Sequence, residues 1–325
     1  MTRSVLIFDA SNFFIRHYVV NPTLDSNGES VGGTVGMIRG IKSLVRELKP
    51  DICIVIWDGE GGSRRRRTIY SEYKAGRKVR LNREYDFGSA DRDFVNLKRQ
   101  HEMTKKYMRM LGVLQVTVDD CEADDAIAYI ARHVLDGDRK TIVSSDRDFM
   151  QLVDARTTVY NPITKLYYGE PQVTEKFLVL PENFIFMKAL VGDSSDNIKG
   201  IGGFGTKTVV KLFPFLAERP ATLADLISHA ETNVAKSARY KSMLDRLDQL
   251  EENMQLMQLS SPTMSPAAAR SMRSALSSNV GVNAFDVRLS FVRDGIQIAD
   301  NDLLSTFKEQ SIRTKNLTKE LDGDI

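Results

Sequence analysis

Four short runs in the first half of the chain are apolar, rich in β-branched residues and followed by acid. They are "SVLIFD" (Ser4 to Asp9), "DICIVIWD" (Asp51 to Asp58), "VLQVTVDD" (Val113 to Asp120) and "TIVSSD" (Thr141 to Asp146). Runs of this length read as buried strands. Between them apolar residues recur at helical spacing. In "VGMIRGIKSLVREL" (Val35 to Leu48) the residues Met37, Ile38, Ile41, Leu44, Val45 and Leu48 share one face, and "AIAYIARHVL" (Ala126 to Leu135) repeats the pattern. Strand and helix in alternation predict an α/β fold whose mostly parallel central sheet is flanked by helices. After Asn161 the alternation stops and helical patterns take over, as in Leu244 to Leu259. An α/β unit over 1–180 and a helical region over 181–325 are therefore expected, with the polar tail from Lys308 onward frayed. After about Ala217 the chain carries no motif.

One segment breaks the alternation. Residues 61–93 show little apolar periodicity, and nine Lys/Arg fall between Ser63 and Arg83 against one acid, Glu72. They are predicted to form an insertion over the sheet. The net charge of +2 conceals this segregation. At 325 residues, 42% hydrophobic and 27% charged, the chain has the composition of a globular protein with a sizeable core. No run approaches the roughly 20 apolar residues of a membrane span and the N-terminus lacks a signal-peptide pattern, so a cytoplasmic protein without membrane contact is expected. Cys53 and Cys121 lack metal-ligand spacing, which argues against zinc.

In open parallel sheets, ligands bind beyond the carboxyl ends of the strands. Those ends carry Asp9, Asp58, the cluster Glu122, Asp124 and Asp125 of "CEADDA", and Asp146 and Asp148 of "SSDRDF". Downstream, "LVGDSSDN" adds Asp193 and Asp196, three apart and able to share one turn. Any one of these acids would ordinarily be a helix cap or a solvated loop residue. Gathered in one crevice they would destabilise the fold unless cations sat among them. Oxygen donors alone select a hard ion, Mg²⁺ or Mn²⁺, and so many carboxylates suit two ions, the arrangement for in-line attack on a phosphodiester. No Ser, Cys or His nucleophile is then needed, and His17, His101, His133 and His229 are expected in core or surface roles. With Asp146 and Asp148 taken as ligands, Ser144 or Ser145 becomes the expected helix cap.

Two features point to nucleic acid. Arg64, Arg65, Arg66, Arg67, Lys74 and Arg77 of the basic segment would neutralise phosphates, and Tyr70 or Tyr73 would stack on an unpaired base. Lys74 or Arg77 would also stabilise charge on the cleaved phosphate. Further on, "NIKGIGGFGTKTVVKLF" (Asn197 to Phe213) sets Gly200, Gly202, Gly203 and Gly205 in a tight hairpin between helical patterns, with Lys207 opening the second. The N–H groups of such a turn face phosphate without reading sequence.

In this order the blocks "LIFDASNFF", "IWDGEGGSRRRRTIYSEYKAGRK", "EADD", "SSDRDF" and "VGDSSDNIKGIGGFGTKT" resemble the flap endonuclease / 5′→3′ exonuclease family in its compact phage and bacterial form. The resemblance covers about Ser4 to Phe215. It implies a PIN-like nuclease fold with a helical arch over about 61–93 and a helix-hairpin-helix at 197–213. It implies one metal site from Asp9, Asp58, Glu122 and Asp124, and a second from Asp146, Asp148, Asp193 and Asp196, with Asp124 close to both and Asp125 in support. Lys74 matches the family's arch lysine and Arg77 the arginine that follows it. A K⁺ held by hairpin carbonyls is also implied. The implied function is a structure-specific 5′ nuclease of replication and repair, acting on DNA flaps, nicks, single-stranded 5′ ends and RNA·DNA hybrids, including RNA primers; phage versions include enzymes called ribonuclease H. A monomer in the cytoplasm (the host's, if phage-encoded) is expected, with a single-strand-binding protein or sliding clamp as partner. This sequence departs from the family in having Gly202 where proline is usual, and in its four consecutive arginines. Two rivals differ in class. An aspartate-nucleophile phosphatase would need a second aspartate two residues after the first, which "FDAS" lacks. A non-catalytic junction-binding DNA protein would tolerate loss of the acids.

Overall fold

The computed structural model describes residues 2–76, 90–262, 264–278, 280–298 and 301–321, with side chains resumed at 92 and followed as far as 315. Five strands run parallel: β1 (Ser4–Asp9), β2 (Ile52–Trp57), β3 (Leu114–Thr117), β4 (Arg139–Val143) and β5 (Thr157–Asn161). A sixth, β6 (Leu166–Tyr168), returns antiparallel at the edge, and the sheet order is β3-β2-β1-β4-β5-β6. Central β1 pairs Ile7 with Ile54 on one side and Ile142 on the other. Its residues alternate between two cores: Val5 and Ile7 join one, Leu6 and Phe8 the other. A sheet covered on both faces has no polar side, which is why these strands read as continuous apolar runs. β2 and β3 lie to one side of β1, β4 and β5 to the other. The order reverses between β1 and β4, and that switch point opens the crevice at their carboxyl ends.

The first helices are α1 (Ala10–Val20), α2 (Gly32–Leu48), α3 (Arg64–Ile69), α4 (Ala90–Met110) and α5 (Ala123–Tyr129). Val31, at the N-cap of α2, has no side chain to cap with. Gln100 of α4 does this instead. Its Oε1 accepts from the N–H groups of Gly33 and Thr34 at 2.8 and 3.3 Å, and its Nε2 donates to the Ser30 carbonyl at 2.7 Å. Thr104 extends the buried network to Thr34 at 2.9 Å. Two orphan donors at the helix start, the Gly33 and Thr34 N–H groups, are thereby given a partner, and α4 is keyed across α2.

Beyond α6 (Glu170–Phe177), α7 (Phe184–Val191) leads into a two-residue ladder, Gly192–Asp193 with Ile198–Lys199, then a glycine turn and α8 (Thr206–Leu212). The stretch without a motif forms α9 (Leu223–Asn233), α10 (Ala238–Leu244), α11 (Leu247–Met257) and α12 (Pro266–Leu276). α11 packs on α7, where Asn253 donates to the Ala189 and Lys199 carbonyls, both at 2.9 Å. The last two helices, α13 (Ala284–Arg293) and α14 (Asn301–Leu321), return to the first sheet. Phe291 stacks on Tyr107 with 4.3 Å between centroids, and Leu303, Leu304 and Phe307 enter the core that holds Leu6 and Phe8. From Lys308 to Leu321 the structure shows helix and not the expected fraying, and residues 322–325 lie outside the described ones. Gln310, Ser311 and Thr314 are buried, with Gln310 and Arg313 donating to the carbonyls of Asp51 and Pro50 at 3.3 and 3.0 Å. The polar composition reflects carbonyl partners at the edge of the sheet. Among the described residues no helix is long and apolar enough to cross a membrane.

Candidate active site

Asp9 closes β1 and also begins α1. Its Oδ1 accepts from the Asn12 N–H at 3.3 Å, while Ser144, just past β4, donates to its Oδ2 at 2.8 Å. Burial and the neighbouring Asp58 push its pKa up to about 7. Asp58 follows β2 and accepts from the Ala123 N–H at 2.9 Å, so it anchors the start of α5. Asp146 caps the short 3₁₀ turn Arg147–Leu152 by accepting from the Asp148 N–H at 2.9 Å. The expectation that Ser144 or Ser145 would be the cap is corrected here. Ser144 instead links Asp9 to the Asp146 N–H (3.0 Å), and Ser145 donates to Asn12 at 2.8 Å. Cap and ligand are thus compatible roles, because a carboxylate has a second oxygen to offer.

Two clusters of charge occupy the crevice. In the first, Glu122 is buried and accepts from Arg66, from Tyr73 at 3.0 Å, and from Lys74 at 3.0 and 3.1 Å. Arg66 also reaches Asp124 at 3.2 Å and Asp125 at 3.0 Å, and its Nε donates to the Leu256 carbonyl at 2.8 Å. Burial alone would raise the pKa of Asp124, but Arg66 and Lys74 outweigh it and hold the group below its ordinary value. Asp125, half-buried and next to Asp124, is pushed up to about 7 by desolvation and by that neighbour. In the second cluster, Lys188 of α7 forms ion pairs with Asp148 at 2.7 Å and with Asp193. The Asp148 oxygen facing it takes no aligned hydrogen bond. Burial and the adjacent Asp146 carry Asp148 to about 7. Asp193 also accepts from the Ser195 N–H and hydroxyl at 2.8 and 2.6 Å. An open cleft of about 420 Å³ runs past Asn12, Asp146, Lys188, Asp193 and Thr206.

The sequence-derived nucleic-acid residues divide on inspection. Arg64, Arg65 and Arg67 are exposed on α3, with Arg64 paired to Asp120 at 2.7 Å. Arg66 is only 6% exposed and saturated by three acids, so its assignment as a phosphate contact is corrected. Tyr73, at 2%, is core and cannot stack on a base. Arg66 points inward because one turn of a basic helix still needs a buried face, Tyr73 does so from the turn that follows α3, and Glu122 accepts from both. Arg77, with Lys78, Arg80 and Arg83, lies outside the described residues. In the hairpin, a Cβ on Gly200 would stand 2.1 Å from the Val191 carbonyl oxygen, and Gly203 has φ +88°. Both positions need glycine. Gly202, Gly203, Gly205 and Lys207 are exposed on the same turn. Its far side is braced by Arg239 Nε on the Gly203 carbonyl at 3.0 Å and Gln249 on that of Lys199 at 3.0 Å.

The sequence reading missed Lys188. The available signal was a lone lysine in the otherwise apolar helix "FIFMKALV", which must find a charge partner when buried. The four histidines pack on rings or carbonyls, as His101 does on Trp57 at 4.6 Å and His229 on the Leu212 carbonyl at 2.9 Å.

No three carboxylates among the described residues form a ready-made metal cage. Arg66, Lys74 and Lys188 stand among them. The donor set nevertheless fits a hard divalent ion. It consists of carboxylates and hydroxyls, and burial pushes Asp9, Asp125 and Asp148 up to about 7, so a bound cation would favour their charged forms.

Comparison with known proteins gives the family and the fold. A model of the 5′-3′ exonuclease N-terminal resolvase-like domain matches residues 4–178, and one of the 5′-3′ exonuclease C-terminal SAM fold matches 179–275. The family match thus reaches well past Phe215. The chain is 30% identical over 212 residues to a 5′-3′ exonuclease of Aquifex aeolicus, covering 65% of this chain and 68% of that one. It is 32% identical over 210 residues to a DNA polymerase I of Pseudomonas aeruginosa, covering 64% of this chain but 22% of the polymerase, so it spans about a fifth of that longer protein. In fold it is similar to the bacteriophage T5 flap endonuclease, solved as a pseudo-enzyme–product complex with DNA and metal ions. The TM-score is 0.62 at 20% identity, with 97% of this chain and all of that chain covered.

Proposed function

The chain belongs to the 5′-3′ exonuclease family, and from that footing we propose that its carboxylate crevice is the active site of a divalent-metal-dependent, structure-specific 5′ nuclease of DNA replication and repair. One observation carries the reading. Carboxylates from the ends of β1 and β2, the start of α5, the turn after β4 and the loop after α7 meet at the switch point, beside exposed arginines and a glycine hairpin. Asp9, Asp58, Glu122 and Asp124 are proposed to hold one Mg²⁺ or Mn²⁺ and Asp146, Asp148, Asp193 and Asp196 a second, with Asp125 supporting. Such ions supply a water of lowered pKa and neutralise charge on the leaving oxygen.

The protein's own groups do the rest. Lys74 is held cationic by Glu122 and Asp124 despite burial, and its ammonium would offset charge on the scissile phosphate. Arg64, Arg65 and Arg67 would bind the 5′ strand and Gly202, Gly203, Gly205 and Lys207 the duplex backbone. Lys188 keeps Asp148 and Asp193 together as an internal counter-ion. A K⁺ at the hairpin would compete with Arg239, which already brings positive charge to the Gly203 carbonyl. Flaps, nicks and RNA·DNA hybrids are the proposed substrates, cytoplasm the proposed location, and a monomer the proposed state.

The deciding experiment offers 5′-labelled flap, nick and RNA·DNA substrates with Mg²⁺ or with chelator. Metal-dependent cleavage is expected, abolished by Asp146→Asn with binding kept. Binding without cleavage on all three would favour the junction-binding alternative, for which no structural observation speaks.

A further inference from the structure

The stem of the basic segment and the loop that carries Asp193 and Asp196 lie far apart in sequence and are joined at three points. The Lys74 N–H donates to the Asp196 carbonyl at 3.0 Å, and the Asn197 side-chain amide donates to the Glu72 carbonyl at 3.0 Å. Between them the Tyr73 hydroxyl, bound to Glu122 at 3.0 Å, stands 3.4 Å from Asp196. Both faces of this joint use left-handed backbone, with Lys74 at φ 55° and Asn197 at φ 62°. For lysine that conformation is unfavourable and persists where surrounding contacts impose it. Here it turns the Lys74 ammonium back onto Glu122. Asparagine tolerates it, and only asparagine adds to that tolerance a neutral amide donor of the right reach. Asn197 is also followed at once by Ile198–Lys199, the strand that opens the hairpin.

We propose that Asn197 is a positioning residue that fixes the Glu72–Lys74 corner against the metal-ligand loop, so that the hairpin and the catalytic lysine move as one piece. The proposal rests on the nuclease reading above. Asn197 touches no reacting atom and acts through Lys74. A duplex seated on the hairpin therefore finds the ammonium already in place over the cleft, with no separate step to bring it there.

Asn197→Gly keeps the backbone conformation and removes the amide. It is compared with Lys74→Ala and the double variant in single-turnover cleavage of a 5′-labelled flap with Mg²⁺, in flap binding under chelator, and in hydrogen exchange at the Lys74 amide. Asn197→Gly is expected to slow cleavage about tenfold, to leave binding within about twofold, and to speed exchange at Lys74. In the Lys74→Ala background it should add nothing. An equal loss in both backgrounds, or an unchanged rate in the first, overturns the proposal. If the unsubstituted protein cleaves nothing, the nuclease reading fails instead, and unaltered exchange at Lys74 in Asn197→Gly would overturn the joint independently.

Discussion

At the scale of single residues, Arg66 shows how far identity and role can part within one run. Three of the four arginines are solvated; the fourth fills the space between Glu122, Asp124 and Asp125 and is tied to the Leu256 carbonyl. Removing a buried partner leaves the others uncompensated, at a cost of about 3–5 kcal/mol. Arg66→Ala should therefore lower the unfolding midpoint sharply, whereas Arg65→Ala and Arg67→Ala should leave it nearly unchanged; three equal, small effects would refute the split. His17 offers a second test. Gly36 and Gly40 of α2 make room for its ring, since a Cβ at Gly36 would stand 2.6 Å away. Burial first, and the Arg16 charge second, push the imidazole down to about 4. The unfolded group titrates near 6.5. The unfolded state therefore takes up the proton first, and stability contributed by neutral His17 is present above about pH 6.5 and lost as pH falls to about 4, on the order of 2–3 kcal/mol. Stability curves of the wild type and His17→Gln should be parallel above pH 7 and converge through that window. The acids were legible from sequence because strand ends converge by rule, while the inward turn of Arg66 depends on the phase of one short helix and that of Tyr73 on the irregular turn after it, which periodicity does not reach.

At the scale of elements, the hairpin and α2 illustrate two ways of satisfying exposed helix ends. The hairpin depends on close backbone approach at Gly200. Gly200→Ala must force the turn away from Val191, and it should weaken duplex binding about tenfold or more while cleavage of short single strands falls less. Equal losses on both would mean that the turn is not a duplex contact. α2 depends on a residue of another helix. Gln100→Ala would strand the Gly33 and Thr34 N–H groups in the interior, at about 2–3 kcal/mol, while the Ser30 carbonyl keeps Asn96 and Arg99 as donors. Chemical denaturation reads this directly. The strands and α2 were visible as apolar patterns. The cap supplied by Gln100 was not, because no local rule pairs residue 33 with residue 100.

At the scale of the whole molecule, the return of α13 and α14 changes what counts as the nuclease unit. A polar tail reads as dispensable, yet Leu303, Leu304 and Phe307 complete the core behind β1 and β2. A chain ended at residue 298 should lose several kcal/mol of stability and, at physiological temperature, the metal-dependent cleavage proposed above. A truncated protein with unchanged melting and activity would show α14 to be ornament. Gln151 adds a second tie, donating to the Met257 carbonyl at 3.0 Å and accepting from the Leu259 N–H at 3.1 Å, so the turn holding Asp146 and Asp148 is bolted to the region after α11.

The docking of α14 also sets a schedule for synthesis. β1 and β2 leave the ribosome early, but the helix that covers one face of them follows some 250 residues later. At 5–20 residues per second that delay is roughly 12–50 s. Throughout it the apolar face that α14 shares with α1 and α2 is only partly covered, a standing invitation to chaperones, and that core closes only once α14 has emerged.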